Sequence, residues 1–406
     1  MKDRQKRPAG GPAKGKLSGK PSGKPGPKGA DKRPAAAGGK AASPRAARPQ
    51  ASERLSPDRK RDAEQPRSAA PSAQPKRERT PAREPGAATE AAPRYVMVAR
   101  SGEKPAERVP LILETVAGGD YHLIDSGDGE KLEQYGPYRI VRPEAQALWP
   151  RSLPASVWEK ADAVFTGDTD EEGMGRWRFP GLPLGETWPM RLLDTDFLGR
   201  FTAFRHVGVF PEQLAHWRWL AGEAQKAGRP LKVLNLFGYT GVASLIAARA
   251  GCEVTHVDAS KKAIGWAREN QTIGRLTDLP IRWICEDAMK FVQREERRGS
   301  RYDIILTDPP KFGRGPNGEV WHLFDHLPAM LDTCRAILSD DARGLVLTAY
   351  SIRASFYSIH ELLREVMRGR GGVVESGELI IREAGLDAAT PGRALSTSLF
   401  SRWVPA

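Results

Sequence analysis

Apolar residues recur along this chain in two patterns, and they begin only after residue 93. Residues 1–93 contain no Val, Ile, Phe, Tyr, Trp or Cys, so no apolar face can form there. From residue 94 short apolar runs appear. Residues 95–99, 109–116, 121–124 and 138–141 each read as a strand, separated by turn clusters such as Gly118-Gly119-Asp120 and Asp125-Ser126-Gly127-Asp128-Gly129. Residues 165–189 continue as an irregular β region rich in Gly and Trp. After residue 231 the period alternates between strand and helix. Strands are predicted at 231–236, 253–257, 281–285, 302–307 and 344–348, and helices at 242–250, 261–270, 288–297, 321–338 and 356–367. Two last strands, 373–382 and 395–403, follow with no helical pattern between them, which suggests an antiparallel hairpin at one edge. Such alternation builds an α/β fold with a doubly wound parallel sheet.

The pattern divides the chain into a tail (1–93), a small β-rich domain (94–195) and a sheet domain (196–406). Charge sharpens this division. The whole chain carries 63 basic and 50 acidic side chains, net +13. The tail holds 23 basic and 9 acidic residues, net +14, which leaves net −1 for the rest. With 15 of the 33 prolines and almost no large apolar side chains, the tail cannot offset the entropy of ordering itself and is expected to be disordered. It reads equally as a solvated linker or as an electrostatic arm that attracts nucleic-acid phosphates. The aromatics Tyr121, Trp149, Trp158, Trp177 and Trp188 of the β-rich section could stack on exposed bases, although core packing is their commoner role. No run approaches the length of a membrane helix, and the N-terminus has no apolar segment of a secretory signal, so no membrane partner is expected. Three scattered cysteines fit neither a disulfide framework nor a metal cluster and suit a cytoplasmic protein.

Ligands of such sheets bind beyond the carboxyl ends of the strands. The first strand of the sheet domain runs into Asn235-Leu236-Phe237-Gly238-Tyr239-Thr240-Gly241, where two glycines let the backbone turn tightly and approach a ligand. That turn alone suits dinucleotide, nucleotide and ligand-free folds. Asp258 ends the second strand, 20 residues after Gly238, where an acid accepts hydrogen bonds from two ribose hydroxyls. Asp287 follows the third strand and could contact an adenine ring. Either acid could instead cap a helix, and Asp287 stands where an N-cap would.

The fourth strand ends in Asp308-Pro309-Pro310-Lys311-Phe312, followed by the glycine-broken loop Gly313-Arg314-Gly315-Pro316-Asn317-Gly318. Two prolines stiffen the backbone and remove two donors, which leaves carbonyl oxygens as acceptors. A nicotinamide enzyme has no use for this arrangement, and no Tyr-x-x-x-Lys pair follows the strand. A methyltransferase does use it. Asp308 and the Pro309 carbonyl would hold a nucleophile in line with a sulfonium methyl, and Phe312 would stack on a flat substrate. Lys311 and Arg314 would take phosphates, and His206 and Gln213 are candidates for closing the pocket.

Taken together, these segments, with Val257-Asp258-Ala259-Ser260 and Glu286-Asp287-Ala288, resemble the class I S-adenosylmethionine-dependent methyltransferases. More narrowly they resemble the bacterial 23S ribosomal RNA methyltransferases of the cytosine-C5 and guanine-N7 type. The resemblance spans about residues 200–403 and includes His206-Val207-Gly208-Val209-Phe210-Pro211-Glu212-Gln213. It implies a Rossmann-like seven-stranded sheet with an antiparallel last strand and S-adenosyl-L-methionine as cofactor. It also implies a donor site built from Asn235, Phe237, Gly238, Thr240, Gly241, Asp258 and Asp287, an RNA partner, and substrate contact near residues 308–312.

One feature departs from the cytosine-C5 enzymes. That carbon becomes nucleophilic only after a thiolate adds to the neighbouring C6. Neither the fourth strand's Asp-Pro-Pro end nor the fifth strand's Leu347-Thr348-Ala349-Tyr350-Ser351 contains Cys. A ring nitrogen or amine needs no such step. The leading expectation is therefore a methyltransferase acting on a base of large-subunit rRNA. The near-neutral body leaves room for a small-molecule or protein side-chain acceptor, and a non-catalytic RNA-binding factor that keeps the fold would lack donor affinity.

Overall fold

The computed structural model describes residues 95–116, 118–167, 174–350, 352, 354–385 and 391–406. Every described residue belongs to a single unit within residues 83–406. The tail assigned to 1–93 lies outside the described residues.

The described chain opens with β1 (Ala106–Thr115), β2 (Tyr121–Gly127), β3 (Glu130–Tyr135) and β4 (Tyr138–Pro143). Then come the short helix α1 (Ala155–Trp158) and strands β5 (Ala163–Gly167), β6 (Gly175–Arg178), β7 (Thr187–Leu192) and β8 (Thr195–Arg200). A 3-10 turn, Pro211–Gln213, leads into α2 (Leu214–Lys226). Alternation follows through β9 (Lys232–Leu236), α3 (Val242–Arg249), β10 (Glu253–Asp258), α4 (Lys261–Ile273), β11 (Ile281–Cys285), α5 (Ala288–Arg297) and β12 (Ile304–Thr307). A small hairpin, β13 (Phe312–Arg314) and β14 (Val320–His322), precedes α6 (Leu323–Ala336) and β15 (Gly344–Ala349). The chain closes with α7 (Phe356–Val366), β16 (Val373–Arg382) and β17 (Ala394–Val404).

The main sheet has the order β1-β16-β17-β15-β12-β9-β10-β11. Strands β15, β12, β9, β10 and β11 run parallel, and β17 is antiparallel to both β15 and β16. Helices cover both faces, so β12 and β15 are buried at every position and read as continuous apolar runs. Helix α5 shows the complementary rule: Ala288, Phe291, Val292 and Glu295 form its buried stripe, spaced by three or four residues. Its N-cap is Asp287, whose side chain accepts the Lys290 amide at 2.9 Å.

Four expectations change. The sheet has eight strands rather than seven, because β1, from the section assigned to the small β domain, pairs in parallel with the edge of β16. The last hairpin is therefore not an edge, since β17 lies inside the sheet and β1 covers β16. Residues 95–99 are not a strand, and the helix expected from 321 starts at Leu323, with Trp321 in β14 instead.

Strands β2 to β6 form a separate five-stranded sheet, with the β7–β8 hairpin beside it. Tyr121, Trp158 and Trp188 are buried in its cores. Trp149 and Trp177 are half-buried, and their indole N–H groups donate to the Ser126 and Thr202 carbonyls. These rings pack the section rather than stand free. Among the described residues no helix is long and apolar enough to cross a membrane.

Candidate active site

The carboxyl ends of β9, β10, β11 and β12 meet in a cleft of about 320 Å³, within the range of small-molecule sites. Phe237, Tyr239, Asp258, Asp287, Asp308, Arg314 and Trp321 are among its lining residues.

The loop after β9 is held in an unusual backbone state. Phe237 and Tyr239 take positive φ of 55° and 51°, and Gly241 takes 80° as it caps α3. A Cβ on Gly238 would collide with the His256 ring and lie 2.9 Å from Asn235 Nδ2, so the packing beneath demands glycine there. Asn235 itself is buried and donates to Ser244 Oγ at 2.9 Å; Ser244 Oγ lies 3.0 Å from His256 Nδ1. Thr240 is buried too: its hydroxyl donates to the Gly208 carbonyl at 2.6 Å, and its own carbonyl accepts Asn270 Nδ2 at 3.0 Å. These two side chains support the loop from below.

Asp258 fastens the loop from the neighbouring strand. Its Oδ2 accepts the Tyr239 amide and its Oδ1 the Ser260 amide, each at 2.8 Å. Burial pushes its carboxyl above the ordinary range, against those two amides, which favour the charge. A carboxylate offers about four lone-pair positions. Each oxygen therefore keeps acceptor capacity for a ligand hydroxyl, and the residues around the cleft fit a nucleoside-type group.

Asp308 follows β12 and lines the same cleft. Gln213 Nε2 donates to Asp308 Oδ2 at 3.1 Å. The Asp-Pro-Pro turn is pinned further along: the Trp321 indole donates to the Pro310 carbonyl at 2.7 Å, and the Leu323 amide to the Lys311 carbonyl at 3.0 Å. Pro309 is buried, and its carbonyl accepts no hydrogen bond from the described residues.

Of the residues singled out in the sequence, Phe237, Asp258, Asp287, Asp308 and Arg314 meet in the cleft. Asn235, Gly238, Thr240 and Gln213 line a smaller adjoining cavity of about 60 Å³, which Phe237 and Asp308 share. Gly241 packs against Ala267 and Trp283 instead. His206 stands apart, its ring 4.9 Å from Phe210, in a pocket with Lys131, Arg205 and Glu212. Phe312 does not line the cleft; it projects from the hairpin's outer face with Lys311 Nζ 5.3 Å from its ring centroid. Sequence reasoning missed Trp321 and Tyr239, the one hidden in an expected helix and the other acting through its backbone amide.

The cysteines sit elsewhere. Cys252 and Cys334 are buried, and burial pushes their thiols up to about 11 and about 12. Cys285 is exposed at the end of β11, its Sγ 3.7 Å from the Ala259 carbonyl. None lines the cleft.

No family model matches the chain. A crystal structure of a SAM-dependent methyltransferase from Agrobacterium tumefaciens is 74% identical, with a TM-score of 0.74, and the match covers 76% of this chain and 98% of that one. The structure of SMU.776 complexed with SAH has a TM-score of 0.52 at 16% identity, a likeness of fold, covering 70% and 76% of the two chains. Among curated proteins, a ribosomal RNA large subunit methyltransferase K/L from Shewanella sp. (strain ANA-3) is 32% identical over 174 residues, 41% of this chain. A ribosomal RNA large subunit methyltransferase I from Shigella flexneri serotype 5b is 37% identical over 177 residues, also 41% of this chain. Those matches span 23% and 40% of the two proteins' own lengths. The fold, the cleft and the extended match to the Agrobacterium enzyme agree, and the chain belongs to the SAM-dependent methyltransferases.

Proposed function

We propose that this enzyme methylates a base of large-subunit ribosomal RNA, at an amine or ring nitrogen. The observation that carries the reading is the Asp308-Pro309-Pro310 turn, which ends β12 inside the cleft that also contains Asp258 and Asp287. The names of the ribosomal RNA large subunit methyltransferases K/L and I, whose matches cover 41% of this chain, support the substrate class.

Asp258 would receive the ribose hydroxyls of the donor, Asp287 would stand on its adenine side, and the 237–241 loop would supply a close backbone surface. When bound, the donor supplies a methyl group already activated as a sulfonium. The protein's task is then mainly positioning. An acceptor amine donates one N–H to Asp308 and a second to the Pro309 carbonyl, which aims its lone pair at the methyl group. As the N–C bond formed, the S–CH3 bond would break and leave the neutral thioether S-adenosylhomocysteine, and the proton shed by the nitrogen would pass to the Asp308 carboxylate. Cytosine-C5 chemistry would require a thiolate at this place, and no cysteine lines the cleft. Residues 94–195 and the basic tail supply further contact with the RNA.

Two variants test these roles together. Asp258→Ala should lose S-adenosylhomocysteine binding in a calorimetric titration. Asp308→Ala should keep that binding and lose methyl transfer to an rRNA transcript. Unchanged transfer in Asp308→Ala would refute its role.

A further inference from the structure

The β13–β14 hairpin sorts its side chains onto two faces. Phe312 pairs with His322, Gly313 with Trp321, and Arg314 with Val320. Since strand side chains alternate, Phe312, Arg314, Val320 and His322 share one face, and Gly313 and Trp321 the other. The inner face is built in: Trp321 is buried, and its indole is bonded to the Pro310 carbonyl. All four residues of the outer face are exposed.

That exposure is unusual in kind. Phe312 is 46% and Val320 52% exposed, and Phe324, at the start of α6, is 55% exposed. Phe312 and His322 meet edge to face with centroids 5.2 Å apart, and Lys311 Nζ lies 5.3 Å from the Phe312 ring centroid. Between them the hairpin residues line a groove of about 300 Å³. Gly313, Arg314 and Trp321 line both this groove and the cleft described above, so the two are neighbours across the hairpin.

We propose that the outer face of this hairpin is a stacking platform for an unpaired nucleotide flanking the methylated base. This rests on the RNA reading above and extends it to a second site. Three observations select single-stranded RNA as the occupant. Exposed aromatic and imidazole rings offer the flat faces on which bases stack without regard to sequence. Arg314 and Lys311 stand among those rings and complement the phosphates that join successive nucleotides. The groove also adjoins the cleft, so a nucleotide next to the target reaches it without a second binding event. The acids nearby are Glu319, which is ion-paired to Lys290 at 2.6 Å, and Asp325, which lies 3.7 Å from His322 Nδ1. A protein substrate would use the same apolar groups but has no need for rings and cations so interleaved.

The test uses the full chain and the variants Phe312→Ala and His322→Ala. A fluorescent single strand of about 12 nucleotides, within the span of known single-strand sites, is titrated with each protein. Each variant should bind it about five- to a hundredfold more weakly. S-adenosylhomocysteine titration should give the wild-type affinity, which shows that the fold and the donor site are intact. On an unmodified rRNA transcript, KM should rise by a similar factor while kcat at saturating RNA falls far less. Wild-type RNA affinity and KM in both variants would overturn the platform. So would their loss of binding to a protein acceptor instead of RNA. If the wild-type protein binds the single strand through these residues yet methylates no rRNA transcript, the platform stands and the rRNA reading fails.

Discussion

Gln213 Nε2 donates to Asp308 Oδ2 at 3.1 Å and also lies 3.1 Å from the Tyr350 hydroxyl, while its Oε1 accepts the Thr348 hydroxyl at 3.3 Å. One amide thus joins the turn before α2 to the ends of β12 and β15. In the proposed mechanism Gln213 would fix the direction of the Asp308 carboxylate, because misplacing a catalytic group by about 1 Å can cost about a hundredfold in rate. Gln213→Leu should therefore lower kcat by up to about that factor, with little change in KM. Donor affinity should remain that of the wild type. A variant that keeps its kcat would show that Asp308 is held by other groups.

The loop after β9 leaves no space for a side chain at Gly238. Gly238→Ala forces a methyl group into the His256 ring and the Asn235 amide, an overpacking that costs about 1–3 kcal/mol. Urea unfolding should show that loss, and donor binding should weaken because the Tyr239 amide shifts away from Asp258. Full stability with unchanged donor affinity would contradict the packing.

The buried histidines predict an acid limit. Burial holds His216 near about 3, with Arg402 adding to the effect, and burial alone holds His256 near about 3. Both depart from an ordinary value of 6.5. The unfolded chain therefore takes up protons below about 6.5 that the folded chain refuses until about 3. Stability is full above that window and falls as pH drops through it, by about 1.4 kcal/mol per pH unit for each histidine. His216 has no hydrogen-bond partner on either ring nitrogen among the described residues, so an apolar ring can replace it. Urea titrations of His216→Phe between pH 6 and 4 should show a slope shallower by about one proton. An identical slope would mean that His216 is not buried neutral.

Trp321 ties the Asp-Pro-Pro turn to the hairpin through its 2.7 Å bond to the Pro310 carbonyl. Trp321→Phe keeps an aromatic ring but removes the indole N–H and the pyrrole portion of a buried side chain. The expected cost is about 1 kcal/mol of stability, together with slower methyl transfer and unchanged donor binding. Transfer at the wild-type rate would show that the turn is rigid without this bond.

The readable parts of the site are those whose chemistry is local. Asp258 ends, and Asp287 and Asp308 follow, a strand that stands out as a short apolar run, so the order and spacing of those strands are enough to place all three acids at the carboxyl end of the sheet. The hidden parts depend on distant partners. β3 reads as Glu-Lys-Leu-Glu-Gln-Tyr and shows no apolar alternation, because buried Glu133 is neutralised by Arg142 at 2.7 Å from the next strand. α2 buries Leu214, His216, Trp217 and Leu220 but carries charged and small residues between them, which blurs its period. β1 joins the main sheet across more than 250 residues of sequence, a pairing no local pattern encodes. Phe312 is legible as an aromatic beside the Asp-Pro-Pro turn. Its side of the hairpin is not, because that depends on which residue of β14 lies opposite.

The central claim is methyl transfer to a nitrogen of a large-subunit rRNA base, and mass mapping of the product tests it most directly. Large-subunit rRNA from cells lacking the gene is incubated with the protein and S-adenosyl-L-methionine, digested to nucleosides and compared with untreated RNA. The account predicts one new nucleoside methylated on an amine or ring nitrogen, absent when Asp308→Ala replaces the wild type. RNA that gains no methyl group, or that gains 5-methylcytosine, would contradict it.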